Sequence, residues 1–158
     1  MPRSAGSRRT AGRTGAGGPF PGRGQGAPMA TTTRFSYAEY LASYNAGDEA
    51  ATARDFYTED VVLEAPGLRI EGREQLAGFL AQAHDGVREE LVPLAVAEQG
   101  DVLLAELDMV FDVSKDVMTP VGPLGPGRAV GRCLASYTLR DERIASFRLA
   151  FWPVGQGA

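Results

Sequence analysis

At 158 residues the chain has room for one domain with a core of its own and not for two comfortable ones. Its 44% hydrophobic and 23% charged content is that of a soluble globular protein, and no stretch approaches the roughly 20 apolar residues of a membrane-crossing helix, so no membrane partner is expected. The formal net charge of −4 conceals an asymmetry: residues 1–28 carry Arg3, Arg8, Arg9, Arg13 and Arg23 and no acid, which leaves 11 basic and 20 acidic side chains in the remainder. So acidic a body lacks the clustered Lys and Arg that phosphate contacts require, and nucleic acid is not expected as its partner. A single cysteine, Cys133, forms neither an internal disulfide nor a cysteine-based zinc site, which fits a reducing, cytoplasmic setting.

Residues 1–28 are mostly Gly, Arg, Ala, Pro, Ser and Thr, and apart from Met1 their only large apolar side chain is Phe20. Too little surface is available to offset the entropy of ordering, so a disordered basic tail is expected. It has no apolar h-region of the roughly 7 to 15 residues that a secretory signal needs, and no amphipathic period of a transit peptide. Met29, followed by Ala30-Thr31-Thr32-Thr33, offers an alternative start, in which case the tail is a start-site artefact; an RNA-binding arginine-glycine tail is the other reading. The folded body is expected over residues 34–154.

The body opens with Ser36-Tyr37-Ala38-Glu39, a capping-box spacing, after which Tyr37, Tyr40, Leu41 and Tyr44 fall on one helical face. Asn45-Ala46-Gly47 stops this helix, and Asp48 caps a second that is expected to run to about Tyr57. A turn at Thr58-Glu59-Asp60 leads into the β-branched run Val61-Val62-Leu63, which Pro66-Gly67 folds into a hairpin. After Gly72 a third helix carries Leu76, Phe79, Leu80 and Ala83 at helical spacing and ends near His84-Asp85-Gly86. From Arg88 to Trp152 the pattern is of strands, with turns at Gln99-Gly100-Asp101 and Arg140-Asp141-Glu142 and a Pro/Gly-rich loop from Ser114 to Gly127. Leu103, Ala105, Leu107, Met109 and Phe111 alternate with Glu106, Asp108 and Asp112, and Phe147, Leu149 and Phe151 share a face opposite Arg148 and Trp152. Three helices followed by antiparallel strands is an α+β arrangement, with the helices packed on one face of a curved sheet.

That order of elements, with the strings Tyr40-Leu41-Ala42-Ser43-Tyr44-Asn45-Ala46-Gly47-Asp48, Phe56-Tyr57-Thr58-Glu59-Asp60-Val61-Val62-Leu63-Glu64-Ala65-Pro66 and Gly72-Arg73-Glu74, resembles the nuclear transport factor 2-like superfamily. Within it the chain is most similar to SnoaL-like proteins and ketosteroid isomerases, over roughly residues 34–152. The resemblance implies a cone, a bent sheet wrapped around helices with a pocket between them. It says little about function, since the superfamily holds isomerases, polyketide cyclases, epoxide hydrolases, dehydratases and proteins with no known catalysis. The isomerases' tyrosine is matched by Tyr40, but their general base falls at Ala65 and their second acid near Ala135. The Arg-Asp-Asp set of limonene epoxide hydrolases falls at Leu107, Met109 and Leu149, so that chemistry is not expected either.

The remaining candidates are side chains that move a proton near neutrality or donate to a developing oxyanion. Tyr40 is the candidate oxyanion donor, its alternative being a core tyrosine bonded to backbone. His84, the lone histidine, is the candidate proton shuttle, its alternative a capping histidine at the end of the third helix. Glu64 alternates away from Ala65, and Glu106 and Asp108 are expected on the outer sheet face, paired with Arg132 and Arg148. Tyr44, Leu63, Ala65, Phe79, Leu107, Met109, Phe111, Cys133, Ala135, Leu149 and Phe151 are expected to line an apolar pocket suited to a neutral ring compound, with no metal and no organic cofactor. The expected function is therefore a cofactor-independent cyclase or isomerase, or else a noncatalytic binding or structural module. Trp152, Arg148 and Arg132 on one face, with the habit of the resembled superfamily, suggest a homodimer through the outer sheet face.

Overall fold

The computed structural model describes residues 34–119 and 122–152. The expected tail, the alternative start at Met29 and the last two residues of the expected body lie outside them.

Helix α1 spans Tyr37–Ala46, and its first turn is closed as the capping pattern requires, with Ser36 Oγ accepting from the Glu39 amide at 3.3 Å. Gly47 ends it at φ +78°, a left-handed conformation a side chain would resist, and its amide donates to the Tyr44 carbonyl. Helix α2 spans Glu49–Phe56, capped by Asp48, whose carboxylate accepts from the Ala51 amide at 2.9 Å. It stops one residue before the sequence expectation, because Tyr57 is already extended and begins strand β1, Tyr57–Ala65. Residues Thr58-Glu59-Asp60 accordingly lie within a strand, not a turn, and the irregularity there appears as a register shift between Tyr57 and Val62. Tyr57, Val61 and Leu63 are buried at even spacing on one face, and the irregularity leaves Glu59 between them exposed.

β1 turns at Gly67 into β2, Leu68–Glu71, and helix α3, Arg73–Ala83, follows. The long strands come next: β3, Val87–Gln99; β4, Val102–Val113; β7, Gly127–Arg140; and β8, Arg143–Trp152. The stretch expected as one loop from Ser114 to Gly127 contains a small ribbon of its own, β5, Val117–Thr119, paired with β6, Gly122–Leu124. Pro123 pairs there without breaking the ribbon, because in a two-stranded ribbon every second residue points its amide to the outer edge, where none is needed. The β7–β8 turn uses Asp141 and Glu142, both at positive φ, in the two-residue hairpin geometry whose twist matches the strands it joins.

The main sheet has six strands in the order β2-β1-β8-β7-β4-β3, antiparallel except where β1 runs parallel to β8. Among the described residues, three helices with a large, mostly antiparallel curved sheet make an α+β fold. Alternation decides which face carries the core: Leu103, Ala105, Leu107, Met109 and Phe111 of β4 are all buried, and opposite them on β7 lie buried Tyr137, Ala135 and Cys133. Tyr37, Tyr40 and Leu41 of α1 and Leu76 and Leu80 of α3 join the same core. The other sheet face carries Arg132 paired with Glu106 and Asp108, as expected, whereas Arg148 turns to Glu64 of β1. Among the described residues no helix is long and apolar enough to cross a membrane.

Candidate functional site

Between the helices and the inner sheet face lies a cavity of about 100 Å³. That is below the roughly 300 to 1,000 Å³ of pockets for drug-sized ligands and enough for a few ordered waters or a small ring compound. Aliphatic and aromatic side chains make up most of its wall, among them Leu63, Phe79, Leu107, Met109, Phe147 and Phe151. The polar groups in that wall are the hydroxyls of Tyr40, Tyr44, Tyr57, Tyr137 and Thr119, the Cys133 thiol and one carboxylate, that of Glu89.

The tyrosines satisfy one another. Tyr40 and Tyr57 hydroxyls lie 2.8 Å apart, and Tyr37 donates to Tyr137 at 3.4 Å. Their rings pack edge to face or tilted around Tyr40, whose ring centroid lies within 6.5 Å of those of Phe35, Tyr37, Tyr44, Phe56, Tyr57 and Tyr137, a geometry that adds to the burial of so much aromatic surface. Burial pushes the Tyr37 hydroxyl up to about 12, and it holds Tyr40, Tyr44, Tyr57 and Tyr137 well above the ordinary phenol value. All five therefore stay protonated at neutral pH and act as donors. In the Tyr40–Tyr57 pair only one hydroxyl donates to the other, so the second keeps its own proton for a further acceptor. Burial likewise pushes the Cys133 thiol up to about 12, too high for a thiolate nucleophile near neutrality.

A second polar group forms where α1, α2 and the α3–β3 turn meet. Glu89 sits two residues into β3, between the inward-facing Val87 and Leu91. Its Oε2 accepts from the Tyr44 hydroxyl at 3.2 Å and lies 3.2 Å from His84 Nε2, while His84 Nδ1 lies 2.7 Å from Glu49 Oε1. A neutral imidazole has one N–H and would leave one carboxylate facing a lone pair; the imidazolium satisfies both. The hydrogen bond to Glu89, joined by that to Glu49, accordingly holds His84 above the ordinary imidazole value against the opposing effect of burial. The turn that brings residues 84 and 89 together depends on Gly86 at φ +82°, where an added Cβ would meet the Lys115 side chain at 2.6 Å. Asn45 secures the same corner: its amide donates to the Leu91 carbonyl at 3.0 Å and its carbonyl accepts the Leu91 amide at 2.9 Å, completing the exposed edge of β3.

Of the residues singled out in the sequence, Tyr40, Tyr44, Leu63, Ala65, Phe79, Leu107, Met109, Phe111, Cys133, Leu149 and Phe151 come together around the cavity. Ala135 is buried in the core but lies outside the lining. His84 also stands outside it; the ring faces a surface groove with Glu49 and meets the cavity wall through Glu89. Glu89, Tyr57 and Tyr137 escaped the sequence reading. Period-2 alternation of Val87, Glu89 and Leu91 was the signal for the first, hidden because the strand was expected to begin at Arg88. Tyr57 was assigned to a helix end, and Tyr137 was masked by the polar Ser136 and Thr138 around it.

A family model described as the SnoaL-like domain matches residues 37–147. No curated protein matches the chain. Among solved structures, a candidate polyketide cyclase from Xanthomonas campestris pv. campestris is 29% identical, covering 70% of this chain and 82% of that one, with a TM-score of 0.59. One from Pseudomonas putida KT2440 is 25% identical over 70% and 84% of the two chains, with a TM-score of 0.61. An LEH-like epoxide hydrolase of M. tuberculosis, 18% identical over 72% and 80% with a TM-score of 0.56, shares the fold.

Proposed function

Because the chain belongs to the SnoaL-like family of the nuclear transport factor 2-like superfamily, we propose that its cavity binds a small, largely apolar molecule and acts on it as a cofactor-independent cyclase or isomerase of the polyketide cyclase type. The observation that carries this reading is an apolar cavity whose polar groups are protonated phenols beside one carboxylate. Such a wall excludes bulk water, stabilises charge as it develops on a ligand oxygen and gives a moving proton somewhere to go. Tyr40, paired with Tyr57, supplies the oxyanion donor, and His84 takes part in proton traffic through Glu89. The test is Tyr40→Phe, with turnover of small polyketide-like β-dicarbonyl compounds and their binding measured together. Loss of a donor of this kind lowers the rate by about 10² to 10³. Unchanged turnover removes Tyr40 from the chemistry, and binding without turnover in the unaltered protein favours a noncatalytic binding module.

We also propose that the protein assembles as a homodimer through the outer sheet face. Val102, Leu104, Val130, Leu134 and Trp152 are exposed on β4, β7 and β8, interleaved with the Arg132 ion pairs. Exposed apolar side chains with charged neighbours are the make-up of an interface core and its rim.

A further inference from the structure

We propose that Glu89 is the proton-abstracting group of this cavity, and that His84 and Glu49 are positioning residues that hold it through the cavity wall. The proposal rests on the reading that the cavity takes a small apolar molecule, and it adds the residue that performs the proton transfer. At the positions where the resembled isomerases keep their acids this chain has Ala65 and Ala135, so a carboxylate has to come from elsewhere or be missing. Glu89 is the carboxylate in the cavity wall, and its side chain is only 11% exposed. Its two oxygens are in different situations: Oε2 faces both Tyr44 and His84, and Oε1 has no hydrogen-bond partner among the described residues. A carboxylate in the wall of an apolar cavity, with one oxygen free of hydrogen-bond partners among the described residues, is equipped to accept a proton from a bound molecule.

The groups around Glu89 are compatible with that role. From α1 come the hydroxyls of Tyr44 and, deeper, Tyr40; from α2 Glu49, through His84; from β1 Tyr57; from β7 Cys133 and Tyr137, both uncharged at neutral pH. Arg88 and Glu90, its chain neighbours, are exposed. His84 is thus the cation that meets Glu89 directly, and Glu49 on its far nitrogen fixes the ring and balances its charge. Glu89 borders both the inner cavity and the outer groove that holds Glu49, so the three side chains bridge the wall from one to the other.

In the step itself Glu89 Oε1 takes a proton from a carbon next to a ligand carbonyl. The C–H electron pair becomes the new C=C bond, and the carbonyl oxygen takes the charge under a tyrosine hydroxyl. Where a C=C lies β,γ to that carbonyl, the resulting dienolate takes the proton back from Glu89 at its γ-carbon and the double bond moves into conjugation; otherwise the enolate carbon attacks a second carbonyl of the same molecule, whose alkoxide takes that proton. Atoms and electrons balance without a co-reactant in either course.

Base-promoted ring opening of 5-nitrobenzisoxazole tests this without the natural substrate. The base removes the C3 proton, the N–O bond breaks, and a coloured nitrophenolate forms. The non-eliminating isostere 5-nitroindazole, followed by calorimetry, reports occupancy. The unaltered protein is expected to accelerate the ring opening, and Glu89→Gln to lower kcat by about 10² or more at unchanged 5-nitroindazole affinity. Should the Gln variant fold poorly, Glu89→Asp, which keeps the charge but withdraws the oxygen by one methylene, is expected to lose about tenfold in kcat with KM unchanged. Glu90→Gln, on the exposed side of the strand, is expected to match the unaltered protein. His84→Gln is expected to lower kcat with KM unchanged and to recover in part with added imidazole, which a merely structural histidine would not do. Turnover of Glu89→Gln within twofold of the unaltered protein, or binding of the isostere with no acceleration by the unaltered protein, overturns the assignment of Glu89 and leaves the binding reading standing. Failure of the isostere to bind at all overturns both.

Discussion

Two polar clusters, one within the cavity wall and one that reaches it through Glu89, meet the problem of burial differently. Tyr40, Tyr57 and Tyr137 are no more than 2% exposed, and they remain neutral, each hydroxyl bonded to another. Glu49, His84 and Glu89 keep 22%, 14% and 11% of their side chains open to solvent and arrange their charges as acid, imidazolium, acid. A hydroxyl loses little on burial once it has a partner, whereas a carboxylate or imidazolium has to keep a counter-charge and some solvent. The fold therefore places its neutral donors deep and its proton-carrying groups at the wall, beside an outer groove.

The comparison is sharpest at Tyr57. Replacing it with Ala empties the deep cluster and is expected to destabilise the protein by about 3 to 5 kcal/mol, as for other large aromatic core truncations. Tyr57→Phe keeps the ring, removes the partner of the Tyr40 hydroxyl and is expected to lose about 1 to 3 kcal/mol. Urea unfolding of both variants separates packing from hydrogen bonding; a Tyr57→Phe variant as stable as the unaltered protein would show that the hydroxyl pair contributes nothing beyond its rings.

A smaller loss is expected at the corner that carries the charged cluster. Asn45→Ala removes both side-chain bonds to Leu91 and leaves the edge of β3 open to water, so a loss of about 1 to 2 kcal/mol is expected by the same measurement. Hydrogen exchange at the Leu91 amide is expected to quicken in this variant while amides of β4 and β7 keep their protection.

The pH dependence separates the clusters more finely. His84 is held above 6.5 when folded, so the stability its charge contributes is complete below that value and is lost as pH rises through the higher folded one. The stability gap between the unaltered protein and His84→Gln is therefore expected to be widest in mild acid and to narrow with rising pH. The lone histidine also gives a single imidazole resonance, whose midpoint is expected to lie above 6.5 and to fall in Glu49→Gln. A midpoint at or below 6.5 would show that the two carboxylates do not act on it.

Smallest in its effect on stability is the outer face. Leu104→Glu is expected to leave the unfolding transition of the protomer almost unmoved and to shift sedimentation from dimer to monomer at tens of micromolar, an ordinary working range for stable dimers. A monomer in the unaltered protein at that concentration would remove the dimer.

Much of the scaffold could be read along the chain, because the signals are local. Ser36 and Asp48 announce helix starts through side chains that bond three residues on, Gly47 announces an end through its backbone freedom, and the alternation of β4 separates Leu107 from Asp108 by the pleat alone. The inward position of Leu107, Met109 and Phe111 followed from the same alternation, and so did the outer position of Glu106 and Asp108. The charged cluster was not legible as a cluster: the alternation of Val87, Glu89 and Leu91 marks Glu89 as inward, but no spacing joins it to Glu49 and His84 or distinguishes those two from solvated residues. His84 meets Glu49 across 35 positions, and Tyr44 meets Glu89 across 45. Their charges are set by what α1, α2 and the Gly86 turn bring to one point, and a glutamate's role depends on whether water or a cavity lies beside it. Periodicity and capping decided the elements of this protein; only packing decided which carboxylate would face the cavity, since burial and partner charge are properties of the folded chain and not of any segment of it.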